Sequence, residues 1–303
     1  MKKIVKLKQY IKNGLLFDKI FCYFLIRLGY SNMKIQVYQV RNKQFNKLKH
    51  KYKKILNKKY LKTSEIGINK NVWVCWLQGK ENAPAEVKKC IASIYKRFEK
   101  SSIIFIDQFN YKDYIDIPDY IEKKWENGII PNALFSDIIR TLLLIEYGGL
   151  WIDATTMLLD DIPKYVYKND FFMFDMRGED DILIYNNWFI YSKKDCHIFK
   201  YERDFLFEYW KKESKVREYF IWHLFMRMIY EKFPDDFKNI EYYPHSITHM
   251  LHENIYNKVD DKYLISVKKI CPIQKLTYKI DYTKLSEESL YNKIFKEDDF
   301  KYE

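Results

Sequence analysis

Glycine and proline are scarce in this chain, at 8 and 7 of 303 residues, and there are only five cysteines. Cys22, Cys75, Cys90, Cys196 and Cys271 are odd in number and scattered, with no C-x-x-C pair. That argues against a disulfide framework or a structural zinc site and for reduced thiols in the cytosol. Long apolar runs are also missing. The nearest, GLLFDKIFCYFLIRLGY at 14–30, is interrupted by Asp18, Lys19 and Arg27, short of the roughly 18 apolar residues a membrane span needs. No small-residue cleavage site follows it, so it does not read as a signal peptide, and substrates are expected in the cytoplasm or on the inner membrane face. P-loop, G-x-G-x-x-G, G-x-S-x-G and H-E-x-x-H patterns do not occur, so no such motif points to the chemistry each serves. Acids are nearly absent from residues 1–70, where Asp18 and Glu65 face 19 Lys and Arg. The net +17 there leaves −5 for the other 233 residues of a chain whose total is +12.

What is present supports a sizeable core. Hydrophobic residues make up 48%, with 27 Tyr, 21 Phe and 7 Trp, enough for one large domain with an appendage and too many for global disorder. Residues 1–70 are assigned to a basic helical arm and 71–303 to the main folded domain. Within the arm, apolar residues cluster at 15–26 and lysines at 43–62. Residues 1–62 suit either a solvated helical appendage or an anchor lying on an anionic membrane surface. Nucleic-acid binding is disfavoured, because no recognition motif accompanies the charge. From residue 71 the expected order is strand 71–78, helix 84–98, strand 102–107, helix 118–127, helix 132–147 and strand 149–153. This β-α-β-α-β alternation predicts an α/β fold with a mainly parallel sheet flanked by helices. Beyond it, 171–174 and 182–191 read as strands and 195–212 and 215–232 as helices, the first capped by Asp195. The stretch 262–280 is expected to carry short strands.

The most informative stretch is SDIIRTLLLIEYGGLWIDATT at 136–156. Asp137, Arg140 and Thr141 share one face of an otherwise apolar helix. A carboxylate and a guanidinium on such a helix are costly unless paired or employed. The Gly148-Gly149 pair stops the helix. A second carboxylate, Asp153, then follows at a strand end, where open α/β sheets bind ligands. Two acids and an arginine there suit a polyhydroxylated, phosphorylated ligand such as a nucleotide sugar. The plainer alternatives are a structural Asp137–Arg140 ion pair and an Asp153 that caps a turn.

Together with WVCWLQGKENAPAEVKKCIASI, NNWFIYSKKDCHIF and CPIQKLTYK, this stretch resembles the bacterial capsular polysaccharide synthesis glycosyltransferases. These are relatives of glycosyltransferase family 32, which has the DXD-containing GT-A fold. The resemblance covers residues 71–280. It implies a GT-A-like hexosyltransferase that moves a sugar from a nucleotide-sugar donor, with retention, to a capsular or surface polysaccharide acceptor. That acceptor would be a glycan or lipid-linked glycan, met by a peripheral protein on the inner face of the membrane. It assigns Asp137, Arg140 and Asp153 to catalysis, and Trp76, Leu77, Gln78 and Gly79 to the donor; Thr155, Lys275 and Lys279 are further donor-side candidates, the plainer reading of the two lysines being a solvated basic turn. Asp180, Asp181, Asn187 and Trp188 fall on the acceptor side. The DXD pattern reads Asp153-Ala154-Thr155 here, so a neutral hydroxyl stands where the second acid is expected. A divalent cation (Mn²⁺ or Mg²⁺) prefers hard oxygen ligands with at least one carboxylate. Either Asp153 holds it with a distant group (His245, His223 or Asp160), or cations such as Arg140, Lys275 and Lys279 replace it. A competing reading is a non-catalytic membrane-associated or nucleic-acid-binding protein with a degenerate DXD site.

Overall fold

The computed structural model describes residues 20, 27, 33–62, 69–180 and 182–296, with backbone alone at 33–37. Twenty residues without an acid, Met33–Tyr52, form helix α1. Phe45, Leu48 and Tyr52 lie three and four residues apart, so they share a face, and all are buried in the main core. Tyr52 meets Phe225 and Tyr209 at ring distances of 5.9 and 6.1 Å. The lysines of this region turn toward acids of the body: Lys49 to Glu231, Lys51 to Glu213, Lys58 to Asp204 and Lys62 to Asp236. The charge imbalance between the two ends of the chain is thus partly met within the molecule. Such exposed pairs stabilise weakly, by about 0–1 kcal/mol each.

Strand β1 (Val72–Cys75) is buried at every position, as a strand covered on both faces must be. Helix α2 (Ala85–Tyr95) returns the chain to β2 (Ile103–Ile106), which pairs parallel to β1 with Val72 opposite Ile103. Helices α3 (Asp119–Glu126) and α4 (Asn132–Glu146) lead to β3 (Gly149–Ile152), parallel to β1 on its other side. After β4 (Thr156–Leu158), β5 (Phe171–Asp175) and β6 (Tyr185–Ser192) complete the order β2-β1-β3-β6-β5. β6 runs antiparallel to both β3 and β5, so four of the five strands share one direction. The result is the mixed, mainly parallel α/β sheet flanked by helices that the alternation predicts.

Helices α5 (His197–Lys212) and α6 (Ile221–Lys232) follow, then the single turn α7 (Met250–Glu253) and α8 (Asp261–Ile270). β7 (Ile273–Lys275) pairs antiparallel with β4 to make a separate two-stranded ribbon, and α9 (Leu290–Phe295) ends the described chain. Three local expectations need correction. Residues 261–270 are helical, because the Asp260 side chain accepts the Tyr263 N–H at 2.8 Å and Leu264 and Val267 bury one face. The second of the two long helices begins at Ile221, six residues later than its apolar pattern suggested. Asp195 is not a helix cap: it has φ of +62° and pairs with Lys200 at 2.7 Å, and Cys196 precedes the first turn.

The four described cysteines are buried and free. Burial pushes the Cys196 thiol up to about 11 and Cys90 and Cys271 to about 12, so they remain thiols near neutrality. Cys22 lies outside the described residues. Among the described residues, no helix is long and apolar enough to cross a membrane.

Candidate active site

The helix stop at Gly148 delivers the chain straight into β3. Gly148 and Gly149 have φ of +67° and +98°, and a Cβ on either would lie 2.4 Å from backbone, at Lys194 N and Asn71 O respectively. Only glycine permits this approach. Because α4 and β3 are joined so tightly, Asp137 and Arg140 face the end of the strand that carries Asp153.

Arg140 is the hub. Its Nη2 lies 3.2 Å from Asp137 Oδ1 and 3.4 Å from Asp153 Oδ1. Nη1 donates to the backbone carbonyl of Asn187, and Nη2 also donates to Ser136 Oγ at 3.1 Å. The guanidinium lies 4.9 Å from the centre of the Trp151 ring. The same indole donates from Nε1 to Asp153 Oδ1 at 2.9 Å. Lys275, 122 residues further on, donates to Asp153 Oδ2 at 2.7 Å and to Thr155 Oγ1 at 2.5 Å. Asn187 Nδ2 donates to Asp137 Oδ1 at 2.9 Å. Thr141, on the same helix face, plays a packing part, accepting from the Trp222 indole at 3.1 Å and donating to Asp137 O at 2.7 Å.

A cavity of about 610 Å³ opens beside these groups at the C-terminal ends of β1 and β3, within the roughly 300–1,000 Å³ of small-ligand sites. Asp137, Arg140, Asp153, Trp76, Leu77, Gln78, Thr155, Lys275, Lys279, Asp180, Asn187, Trp188, His223 and His245 all contribute to its wall. Gly79 and Asp160 do not. Gly79 turns the chain after β1 with φ of +87°, and Asp160 pairs with Arg97 and Lys268 instead. Asp181 lies outside the described residues. Trp188 serves two ends, stacking on Phe174 at 5.6 Å while bordering the cavity. Asp180 is fully engaged: Oδ1 accepts the Ile182 and Leu183 N–H groups at 2.8 Å and Oδ2 pairs with Arg41.

Sequence reading missed Arg41, Ser136 and the pair Tyr219 and Phe220 in this wall. Arg41 lies 4.6 Å from the Phe220 ring centre while it holds Asp180, so α1 helps build the cavity. No local pattern marks Arg41, since its partners are 139 and more residues away. Another cavity, of about 630 Å³, is lined among the described residues by one face of α1, with no acid among them.

Burial and charge set the acids apart. Burial pushes the Asp137 carboxyl up to about 7 against the opposing pull of Arg140. Burial also acts on Asp153, but Lys275 and Arg140 outweigh it and hold that carboxyl below its ordinary value. Behind Asp137, Glu202 on α5 is buried with neither carboxyl oxygen hydrogen-bonded, and burial with Asp137 drives its pKa well up. Burial lowers His223 to about 3 and His245 to about 4, so both are neutral.

A pKa raised by folding gives stability that is present below the unfolded value and lost as pH rises through the folded one. The Asp137 contribution is therefore lost from about pH 4 to about pH 7, and that of Glu202 over the same direction. Asp153 has the opposite sign, losing its contribution only as pH falls below about 4. Glu202→Gln is expected to raise the urea midpoint strongly at pH 8 and much less at pH 5. Parallel wild-type and variant profiles from pH 5 to 8 would show that the buried carboxyl does not titrate as described.

The donor set does not fit a divalent cation. Among the described residues no three His, Cys, Asp or Glu side chains gather to hold one. Both oxygens of Asp153 and the hydroxyl of Thr155 are already bound by cations or an indole N–H. His245 borders the cavity but its Nδ1 lies 3.3 Å from Asn186 Nδ2.

An acid pair, a buried arginine and a lysine thus share one wall of a strand-end cavity. The chain matches the capsular polysaccharide synthesis proteins over residues 27–294 and belongs to that family. The match takes in α1 as well as the sheet. It is also similar to the O-glycosyltransferase braB of Annulohypoxylon truncatum, with 28% identity over 145 residues, or 42% of this chain and 34% of that protein. The chain thus spans about a third of the length of that curated relative. Among solved structures, the PaToxG glycosyltransferase is similar at 16% identity and a TM-score of 0.38, covering 66% of this chain and 81% of that one.

Proposed function

We propose that this protein is a retaining glycosyltransferase of GT-A type that takes a sugar from a nucleotide-diphosphate donor. One observation carries the reading: Asp137 and Arg140 of α4, Asp153 just after β3 and Lys275 of β7 meet on one wall of one cavity. The family match and the similarity to braB support it. The base and ribose of the donor lie along Trp76–Gln78, and Arg140 and Lys275 face its phosphates, where charge grows as the bond breaks. Asp137, half-protonated near neutrality, can donate to or accept from a sugar hydroxyl. Transfer breaks the bond from the anomeric carbon to the phosphate oxygen and forms one to the acceptor oxygen. The leaving nucleoside diphosphate keeps the electron pair, and its phosphate oxygen takes the acceptor's proton.

The acceptor in this proposal is a growing capsular or surface glycan, lipid-linked at the inner face of the membrane. Support comes from the family and from residues 1–32, where seven Lys and Arg face one acid; such charge is attracted to anionic lipid.

The test is a hydrolysis screen over common nucleotide sugars. Wild type is expected to consume at least one donor. Asp153→Ala is expected to slow that hydrolysis by about 10²–10³-fold, the usual effect of removing one preorganised electrostatic group. No turnover of any donor, or an unchanged rate in the variant, overturns the assignment.

A further inference from the structure

We infer that Lys275 is a built-in cation, and that this protein binds a nucleoside diphosphate without a divalent metal. The inference rests on the transferase reading and concerns how the same cavity neutralises the donor's phosphates.

A metal at an aspartate-x-acid pair would need the oxygens of residues 153 and 155. In this chain the second of those is the Thr155 hydroxyl, and both positions already hold the Lys275 ammonium, at 2.7 and 2.5 Å. The other Asp153 oxygen takes the Trp151 indole at 2.9 Å and lies 3.4 Å from Arg140. A hard dication would need several oxygen ligands and would sit beside two fixed positive charges, which repel it.

The lysine is held in place by backbone as well as by charge. β7 pairs with β4 so that Lys275 stands opposite Thr156, and Leu276 N donates to Thr155 O at 2.9 Å. Its Nζ lies 5.6 Å from the centre of the Trp188 ring. An ammonium carries three donors. Asp153 and Thr155 take two of them, and the third is available to a phosphate oxygen in the cavity that Lys275 lines. Asp153 and Thr155 then act as positioning groups for the ammonium, and Arg140 supplies a second positive charge across the same carboxylate.

The experiment is calorimetric titration of the full chain with ADP, CDP, GDP, UDP and dTDP, in EDTA and in Mn²⁺. Lys275→Met is compared with Lys275→Arg, and thermal unfolding verifies the fold of each. At least one diphosphate is expected to bind wild type equally well, within about twofold, in EDTA and in Mn²⁺. Lys275→Met is expected to weaken that binding by about 30-fold or more in EDTA and to regain part of it in Mn²⁺, because the Asp153 and Thr155 oxygens become free. Lys275→Arg, which keeps the charge, is expected to lose less. Wild-type binding that appears only with Mn²⁺ overturns this inference and leaves the transferase reading standing, and so does Lys275→Met binding within threefold of wild type. Should Lys275→Met not fold, the wild-type comparison and Lys275→Arg still decide. If no diphosphate binds wild type in either condition, the transferase reading falls and this inference with it.

Discussion

Arg140→Ala is expected to lower kcat/KM for sugar transfer by about 10³-fold or more, and to cost the fold about 3–5 kcal/mol. The two effects share one cause. The guanidinium is buried, pairs with Asp137 and Asp153, and ties α4 to the Asn187 carbonyl on β6. Its removal leaves Asp137 buried without its cation, so that carboxyl takes up a proton and the strand-end cavity loses a positive charge. Arg140→Lys is expected to recover part of the stability but little of the activity. A lysine cannot span Ser136, the two acids and Asn187 at once, because it lacks the planar fork of donors. Urea unfolding and steady-state kinetics on both variants check this. An Arg140→Ala protein with wild-type kcat/KM would place the phosphate site elsewhere.

Gly149→Ala is expected to destabilise the protein by more than about 4 kcal/mol, among the largest effects a single methyl produces. The left-handed φ of +98° alone costs an L-residue about 1–2 kcal/mol. The added Cβ would also lie 2.4 Å from the Asn71 carbonyl, which accepts the Leu150 N–H at 2.8 Å where β1 and β3 begin to pair. Backbone on both sides leaves the clash no flexible neighbour to yield. Gly128→Ala is the control. Its φ is +68°, but a Cβ there meets nothing within 4 Å, so only the conformational cost of about 1–2 kcal/mol is expected. Equal denaturation midpoints for the two variants would show that the close approach at Gly149 is not what matters.

Much of the fold was legible because its signals are local. The helix expected at 132–147 is Asn132–Glu146 and the strand expected at 149–153 is Gly149–Ile152, since an apolar period, a proline before the first turn and a double glycine after the last all act within one element. The 262–270 stretch was misjudged. Its apolar residues are few, and the decisive cap is a single carboxylate, Asp260, whose bond to Tyr263 depends on a geometry composition does not show. The sequence places Asp180 on the acceptor side, but its contact with Arg41 reaches 139 residues back into a segment set apart by charge alone.

The sequence by itself determined which elements form and that α4 and β3 place Asp137, Arg140 and Asp153 at one strand end, because the helix face and the glycine stop are short-range geometry. Only the tertiary structure decided which charge faces which. Lys275 reaches Asp153 and Thr155 through the pairing of β4 with β7, and Arg41 reaches Asp180 through the packing of α1 on the body. Contacts across more than a hundred residues are selected by burial of the whole core, and no local period encodes them.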